Sequence, residues 1–397
     1  MKSIDWTVAG KKKKMVLLVA ALVTMVVSFL QYRLPLKSFD TTAPRYTHYN
    51  NYVIFKQSHF HLLENQDMYV SYPGEHHDLY KYSPAFALVF GMFSNMPDLL
   101  GLTLWNVLNI LFLLWVLLYR GAPWEKKAGL LLLFMIPELV LTTQHAQSNA
   151  LMAGLLILSF LDLESDRSGR AAVWIVIAAF IKIYAGLGVL LFFFYPHKTK
   201  YFLTAVSCSI MLCFLPLLVT SRSSLWMQYQ GWWYMLSHDH DTSYGLSLMG
   251  LLNLIFPNFH AKSMIQLLGV ILTLVCLIPM RKFQSLSLRT SYLSLLLLTL
   301  IIFNHKSESA TFIVAIVGIG IWYFSKNQVT TLDTLILIFS LVFAELSTSD
   351  IFPAFIRKVY FVPYHVKVWP VILVYSIIFT ELMRMGMSFK KGVKNSY

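Results

Sequence analysis

About a dozen apolar stretches run through this chain of 397 residues, and they leave it little choice of environment. Met15–Leu30 and Ala261–Met280 approach the roughly 20 apolar residues that cross a bilayer as a helix. Charged residues make up 13% of the chain, against about 25% in an ordinary soluble domain. The pattern predicts an all-α integral membrane protein, one multi-pass domain over residues 1–397 with about twelve transmembrane helices. The spans fall near 15–32, 101–118, 128–142, 149–163, 171–184, 185–196, 201–219, 262–280, 287–303, 309–324, 331–346 and 368–383.

The formal charge of +13 would suggest nucleic acid in a soluble protein. Here the basic residues cluster at span ends, so the charge is a topology signal and no nucleic-acid partner is expected. The larger share of the 32 Lys and Arg falls on the side of the N-terminus, in short loops. Both termini are therefore expected in the cytoplasm. The Lys11–Lys14 cluster and the apolar run after it resemble a signal peptide, but the run reaches Leu30 without a small-residue cleavage site, so it reads as an uncleaved first span. Cys208, Cys213 and Cys276 are odd in number, lie in apolar spans and have no metal-like spacing, so they read as buried hydrophobes.

Two polar segments then face outward, residues 33–100 and 220–262. In the first, YTHYNNYVIFKQSHFHLL (Tyr46–Leu63) places Tyr52, Phe55, His59 and Leu63 at helical spacing, which predicts an interfacial helix. Asn50 and Asn51 stand where an N-cap belongs. Ser83-Pro84 starts a second short helix, ended by Asn95-Met96-Pro97. Between the two lie Glu75, His76, His77, Asp78 and Lys81, the densest ionisable group in the chain. Consecutive residues in a turn rarely converge on one ion, so no metal site is expected. Solvated loop charges, or a general base beside a cation, are the two readings.

Other polar points sit at span junctions: Gln144, His145, Gln147 and Asn149; Trp232, Trp233, His238, Asp239, His240 and Asp241; Asn304, His305, Lys306 and Glu308; Arg357 with Lys358. Aromatic rings among amides and acids suit an interfacial belt, and equally a sugar, which offers both an apolar face and hydroxyls. Lys182 interrupts the run from Ala171 to Tyr195, which is long for one span and short for two, and the chain is expected to break there. A charge inside such a run is either functional or snorkels to the interface. No internal repeat and no ladder of intramembrane Asp or Arg is visible, which argues mildly against a pump or transporter.

This order of parts resembles the GT-C superfamily of polyprenyl-phosphate-sugar glycosyltransferases, and within it glycosyltransferase family 87, the alpha-mannosyltransferase group. The pieces carrying the resemblance are NNYVIFKQSHFHLLENQDMY, ending at Tyr69; YKYSPAFALVFGMFSNMPDLLGLTLWNVLN, Tyr80–Asn109; Gln147-x-Asn149; and IKIYAGLGVLLFFFYP with Lys182. The resemblance implies a GT-C-like bundle. It also implies transfer of a hexose, often mannose, from a polyprenyl-phosphate carrier to a lipid-linked glycan or glycolipid on the outer face, without a cofactor. The expected partners are that donor, the lipid-linked acceptor and membrane lipids, and the expected location is a bacterial inner membrane. Family members carry an Asp, the presumed base, at the start of the first loop helix. Here that place holds Asn51, or Asn50 with a shifted register, and an amide cannot take a proton as a carboxylate does. The candidates for a relocated base are Asp78 first, then Glu75 and Glu308. The candidates for binding substrate are His48, Asn50, Asn51, Lys81, Gln147, Asn149, Lys182, His305 and Arg357. A transporter, and a lipid-glycan binding protein without catalysis, are the competing classes.

Overall fold

The computed structural model describes residues 6–38, 44–119, 121–238, 244–257, 260–280 and 285–394. It is helical almost throughout. The first helix, α1 (Trp6–Arg33), is followed by a two-residue hairpin, β1 (Lys37–Ser38) against β2 (Arg45–Tyr46), and then by α2 (Asn50–Leu63), α3 (Pro84–Ser94) and α4 (Asp98–Tyr119). Next come α5 (Ala128–His145), α6 (Asn149–Glu164), α7 (Ser168–Ile181), a 3-10 helix over Ile183–Phe194, and α8 (Lys198–Phe214). The second polar segment contains α9 (Arg222–His238) and α10 (Leu248–Ile255). The remainder is α11 (Lys262–Val275), α12 (Leu277–Met280), α13 (Leu286–Ile302), α14 (Ile313–Phe324), α15 (Thr331–Ser340) running into a π turn over Leu341–Leu346, α16 (Ala354–Ile356) and α17 (Val368–Lys394).

Every apolar stretch singled out in the sequence is helical. Among the described residues, four helical stretches have the length and composition to cross a membrane: Lys11–Arg33, Asp98–Leu118, Glu125–His145 and Lys198–Leu218. The centre is formed by α6, α13 and α14, which are buried around nearly their whole circumference, as expected of helices apolar on all faces. α1 packs beside α4 and α5 and leaves much of its apolar surface outward.

The chain does break at Lys182. α7 ends at Ile181, Lys182 is extended, and the 3-10 helix begins at the next residue. Ser83 caps α3 as its sequence suggests: its Oγ accepts from Phe86 N at 3.2 Å, with Pro84 in the first turn. The start of α2 differs from expectation. Tyr49 holds the N-cap position with no side-chain cap, and the Asn50 amide is engaged elsewhere. The buried stripe of α2 is Tyr52, Phe55, His59 and Leu62, while Leu63 is turned outward. The buried face is broader than a single stripe, for Ile54, Ser58 and His61 are buried as well.

Ion pairs collect at the end of the bundle that carries the start of α1. Lys13 pairs with Glu125 at 2.6 Å, Arg289 with Glu164 through both of its oxygens, and Lys326 with Asp333 and Glu381. The opposite end collects the polar junctions. There α5 finishes, α6 starts, α7 and α13 finish, and the turn before α14 begins.

Candidate active site

The first loop supplies one wall. Asn50 is buried in the opening turn of α2, and its amide grips the His77 backbone from both sides: Nδ2 donates to His77 O at 2.8 Å, and Oδ1 accepts from His77 N at 2.9 Å. This fixes the next residue, Asp78, beside the start of α2. Asp78 has a φ of 73°, in the left-handed region that Asp tolerates better than most residues. Its Oδ2 accepts from Lys81 Nζ at 2.7 Å and its Oδ1 from Leu79 N at 2.7 Å. Partial burial works to raise the Asp78 pKa, but the Lys81 ammonium, the Leu79 N–H and the more distant Lys306 outweigh it, so the carboxyl is held below its ordinary value. Asn51 lies in the same turn, and its Nδ2 donates to His145 O at 2.9 Å.

The helix ends supply the opposite wall, as a chain of hydrogen bonds from a cation to a carboxylate. Lys182 Nζ donates to Asn149 Oδ1 at 2.6 Å; Asn149 Nδ2 donates to Gln147 Oε1; Gln147 Nε2 donates to Glu308 Oε2 at 2.8 Å. Two amides in series transmit the polarity of the charged ends, and each fixes the rotamer of the next. Glu308 also caps the 3-10 turn Ser309–Phe312, with Thr311 Oγ1 accepting from Glu308 N at 3.1 Å. The rings of Tyr82 and Tyr184 flank Lys182 Nζ at 5.7 and 5.8 Å.

Between these walls lies a cavity of about 460 Å³. Asn51, Asp78, Lys81, Gln147, Lys182, His305 and Glu308 line it, and Asn149 stands directly behind Gln147 and Lys182. Its aromatic and apolar surface comes from Phe55, Tyr82, Tyr184 and, on α9, Trp233. Two carboxylates and three ammonium groups, counting Lys306, thus share one opening with faces for a ring to stack on. His305 Nδ1 is within hydrogen-bond distance of Gln266 Nε2, at 2.8 Å. Gly245 (φ 60°) makes this close packing possible, since a Cβ there would lie 2.5 Å from His305 O.

The other sequence candidates lie elsewhere. Asn50 serves the backbone of the 73–78 loop. Glu75 faces His61, 3.1 Å from its Nε2, and His61 stacks on Tyr72. His76 Nδ1 contacts Asp78 O at 3.0 Å, so Glu75, His76 and Asp78 address three different partners. His48 lies near Lys37 and Pro35, outside the cavity. Arg357 donates to Asp350 at 2.6 Å and to Phe352 O at 3.1 Å, also outside it. Asp239, His240 and Asp241 fall outside the described residues. Tyr82, Tyr184, Gln266 and Thr311 join the cavity without having been singled out. Gln266 carried a signal, a lone amide inside an apolar run.

The structure is thus a multi-pass helical bundle with a polar, aromatic-lined cavity at one end. The chain matches the model of glycosyltransferase family 87 over residues 80–344, well over half its length, and it belongs to that family. The family resemblance read from the sequence thus holds, and the protein is a membrane glycosyltransferase. The match begins at Tyr80, so Asn51 and Asp78 precede it. Among solved structures, ArnT from Cupriavidus metallidurans bound to undecaprenyl phosphate is similar over 94% of this chain and 77% of its own, at 13% identity and a TM-score of 0.41. No curated protein matches the chain.

Proposed function

We propose that the protein transfers a hexose, mannose in the first instance, from a polyprenyl-phosphate carrier to a lipid-linked glycan or glycolipid at the outer face of a bacterial inner membrane, with both termini in the cytoplasm. One observation carries this reading: the cavity sets the carboxylates of Asp78 and Glu308 and the ammonium of Lys182 around a space of about 460 Å³, at the bundle end where the polar junctions collect. Asp78 is the base. Its carboxylate takes the proton of the acceptor hydroxyl as that oxygen bonds to the anomeric carbon. The bond from the anomeric carbon to the phosphate oxygen breaks, and its electron pair leaves with the lipid phosphate. Lys182 neutralises the charge gained there, and Tyr82 and Tyr184 offer faces to the sugar. The relay through Asn149 and Gln147 keeps Lys182 and Glu308 at a fixed separation, so both are in place before the substrate enters.

The position of Asp78 supports relocation of the base. Family members place their Asp at the start of the first loop helix, and the Asn50 clamp brings Asp78 to that same turn. The missing acid at Asn51 favours one competing reading, a lipid-glycan binder without catalysis. Purified protein given radiolabelled polyprenyl-phosphate mannose and a lipid extract of its host separates the two. A labelled glycolipid supports transfer, and saturable donor binding without product supports the binder.

A further inference from the structure

The turn that carries Glu308 is held from behind by charges that the proposed chemistry does not use. Glu138 is fully buried in α5, and Lys367, just ahead of α17, is 2% exposed. Lys367 Nζ donates to Glu138 Oε2 at 2.9 Å and Oε1 at 3.2 Å, and to Ser309 Oγ at 3.0 Å, with the Phe312 ring 5.1 Å away. The next residue of the turn is held as well, for Ala310 O accepts from Asn149 Nδ2 at 3.0 Å and from Thr142 Oγ1 at 3.3 Å.

A buried ion pair is poor evidence of stabilisation, since well-packed apolar side chains in its place often do as well. An apolar pair here could fill the space but could not hold the Ser309 hydroxyl. An ammonium has three hydrogens, which serve both oxygens of Glu138 and the adjacent Ser309. α5, α17 and the turn before α14 are thereby locked together one residue from a cavity carboxylate.

We propose that Lys367, anchored by Glu138, is a positioning residue that sets Glu308 in the cavity by gripping Ser309. The proposal rests on the transferase reading, with Glu308 among the groups that orient the sugar. Glu345, on the π turn after α15, is buried beside the pair. Lys367→Met would strand two buried acids and threaten the fold, so the decisive variants are at Ser309.

Ser309→Ala removes the acceptor and leaves the ion pair intact. The expected result is a fall in kcat of about tenfold with KM for the donor within about twofold, because the base and the donor's phosphate contact are untouched. Ser309→Thr, which keeps the hydroxyl, restores kcat. The charge-balanced double variant Glu138→Gln with Lys367→Met loses kcat similarly, and adding Ser309→Ala to it costs nothing further, as a single shared interaction requires. Unchanged kcat in Ser309→Ala, equal loss in Ser309→Thr, or additive losses would overturn the proposal. If the wild-type protein transfers no sugar, the transferase reading fails on its own, and hydrogen exchange at the amides of residues 309–312 decides instead. Faster exchange in Ser309→Ala, reversed in Ser309→Thr, supports the grip, and equal rates in all three proteins refute it.

Discussion

Asn50 and His77 are joined by a two-point clamp, the side-chain amide of one pairing with both backbone groups of the other at 2.8 and 2.9 Å. The clamp fixes the only segment of the first loop that delivers a carboxylate to the cavity among the described residues. Asn50→Ala removes both hydrogen bonds of the clamp, at a cost of about 1 kcal/mol for each. The expected outcome is a lower Tm together with a fall in kcat, read by thermal unfolding in detergent and by the transfer assay. Full kcat in Asn50→Ala would mean that Asp78 does not depend on the clamp.

Asp78→Asn should lower kcat by roughly 10²–10⁴-fold, the usual contribution of a positioned general base. Glu308→Gln should cost much less, because a glutamine oxygen can still accept from Gln147. The sharper test is compensation. Asn51 opens onto the same cavity, so Asn51→Asp in the Asp78→Asn background should recover part of the lost rate. Equal loss in the single and double variants would count against a base that moved along this wall.

The acid limb of kcat/KM follows from the Asp78–Lys81 pair. The folded pKa is depressed, so the base form persists above that pKa and activity is lost as pH falls through it, below the ordinary carboxylate value of about 3.9. The stability from the pair has the same sign: it is present above the unfolded pKa and lost as pH falls through the folded one. Lys81→Met removes the largest depressing influence and leaves only the Leu79 N–H and the more distant Lys306 to oppose burial. The limb should move upward, measurably in a pH profile of the variant. A limb that stays in place would show that another group is titrating.

Gln228 ties α9 to the first loop. It is fully buried, its Oε1 accepts from Met68 N at 3.1 Å, and its Nε2 donates to Gln66 O at 2.6 Å. Five residues further along the same helix, Trp233 reaches the cavity. Gln228→Ala should destabilise by about 1–3 kcal/mol and raise the donor KM as the tryptophan loses its support. A normal Tm with a normal KM would place α9 outside substrate binding.

How much of this could be read from the chain depends on distance along it. The Ser83-Pro84 start of α3 and the break at Lys182 are local, set by a cap, a proline and a charge in an apolar run, and both are as the sequence suggests. Gln147, His305 and Glu308 stood out in the sequence as polar side chains at the junctions of apolar spans, and Lys182 as a charge inside one. Their pairing was not legible. Gln147 and Glu308 lie 161 residues apart, and Glu138 and Lys367 are 229 apart. No periodicity reports contacts at such separations. Asn50 shows the same limit from the other side: its residue type suits an N-cap, yet a backbone segment 27 residues on competes for the amide and wins. His48, Glu75 and Arg357 looked no different in sequence from the residues that reach the cavity, and only packing separates them.

The most direct test of the central claim is transfer of radiolabelled mannose from its polyprenyl-phosphate carrier by three purified proteins: wild type, Asp78→Asn, and Asp78→Asn with Asn51→Asp. The account predicts a labelled glycolipid from the wild type, nearly none from the single variant, and partial recovery in the double. Undiminished product from Asp78→Asn would contradict the assignment of the base, and no product from the wild type with mannose, glucose or arabinose carriers would contradict the proposed reaction.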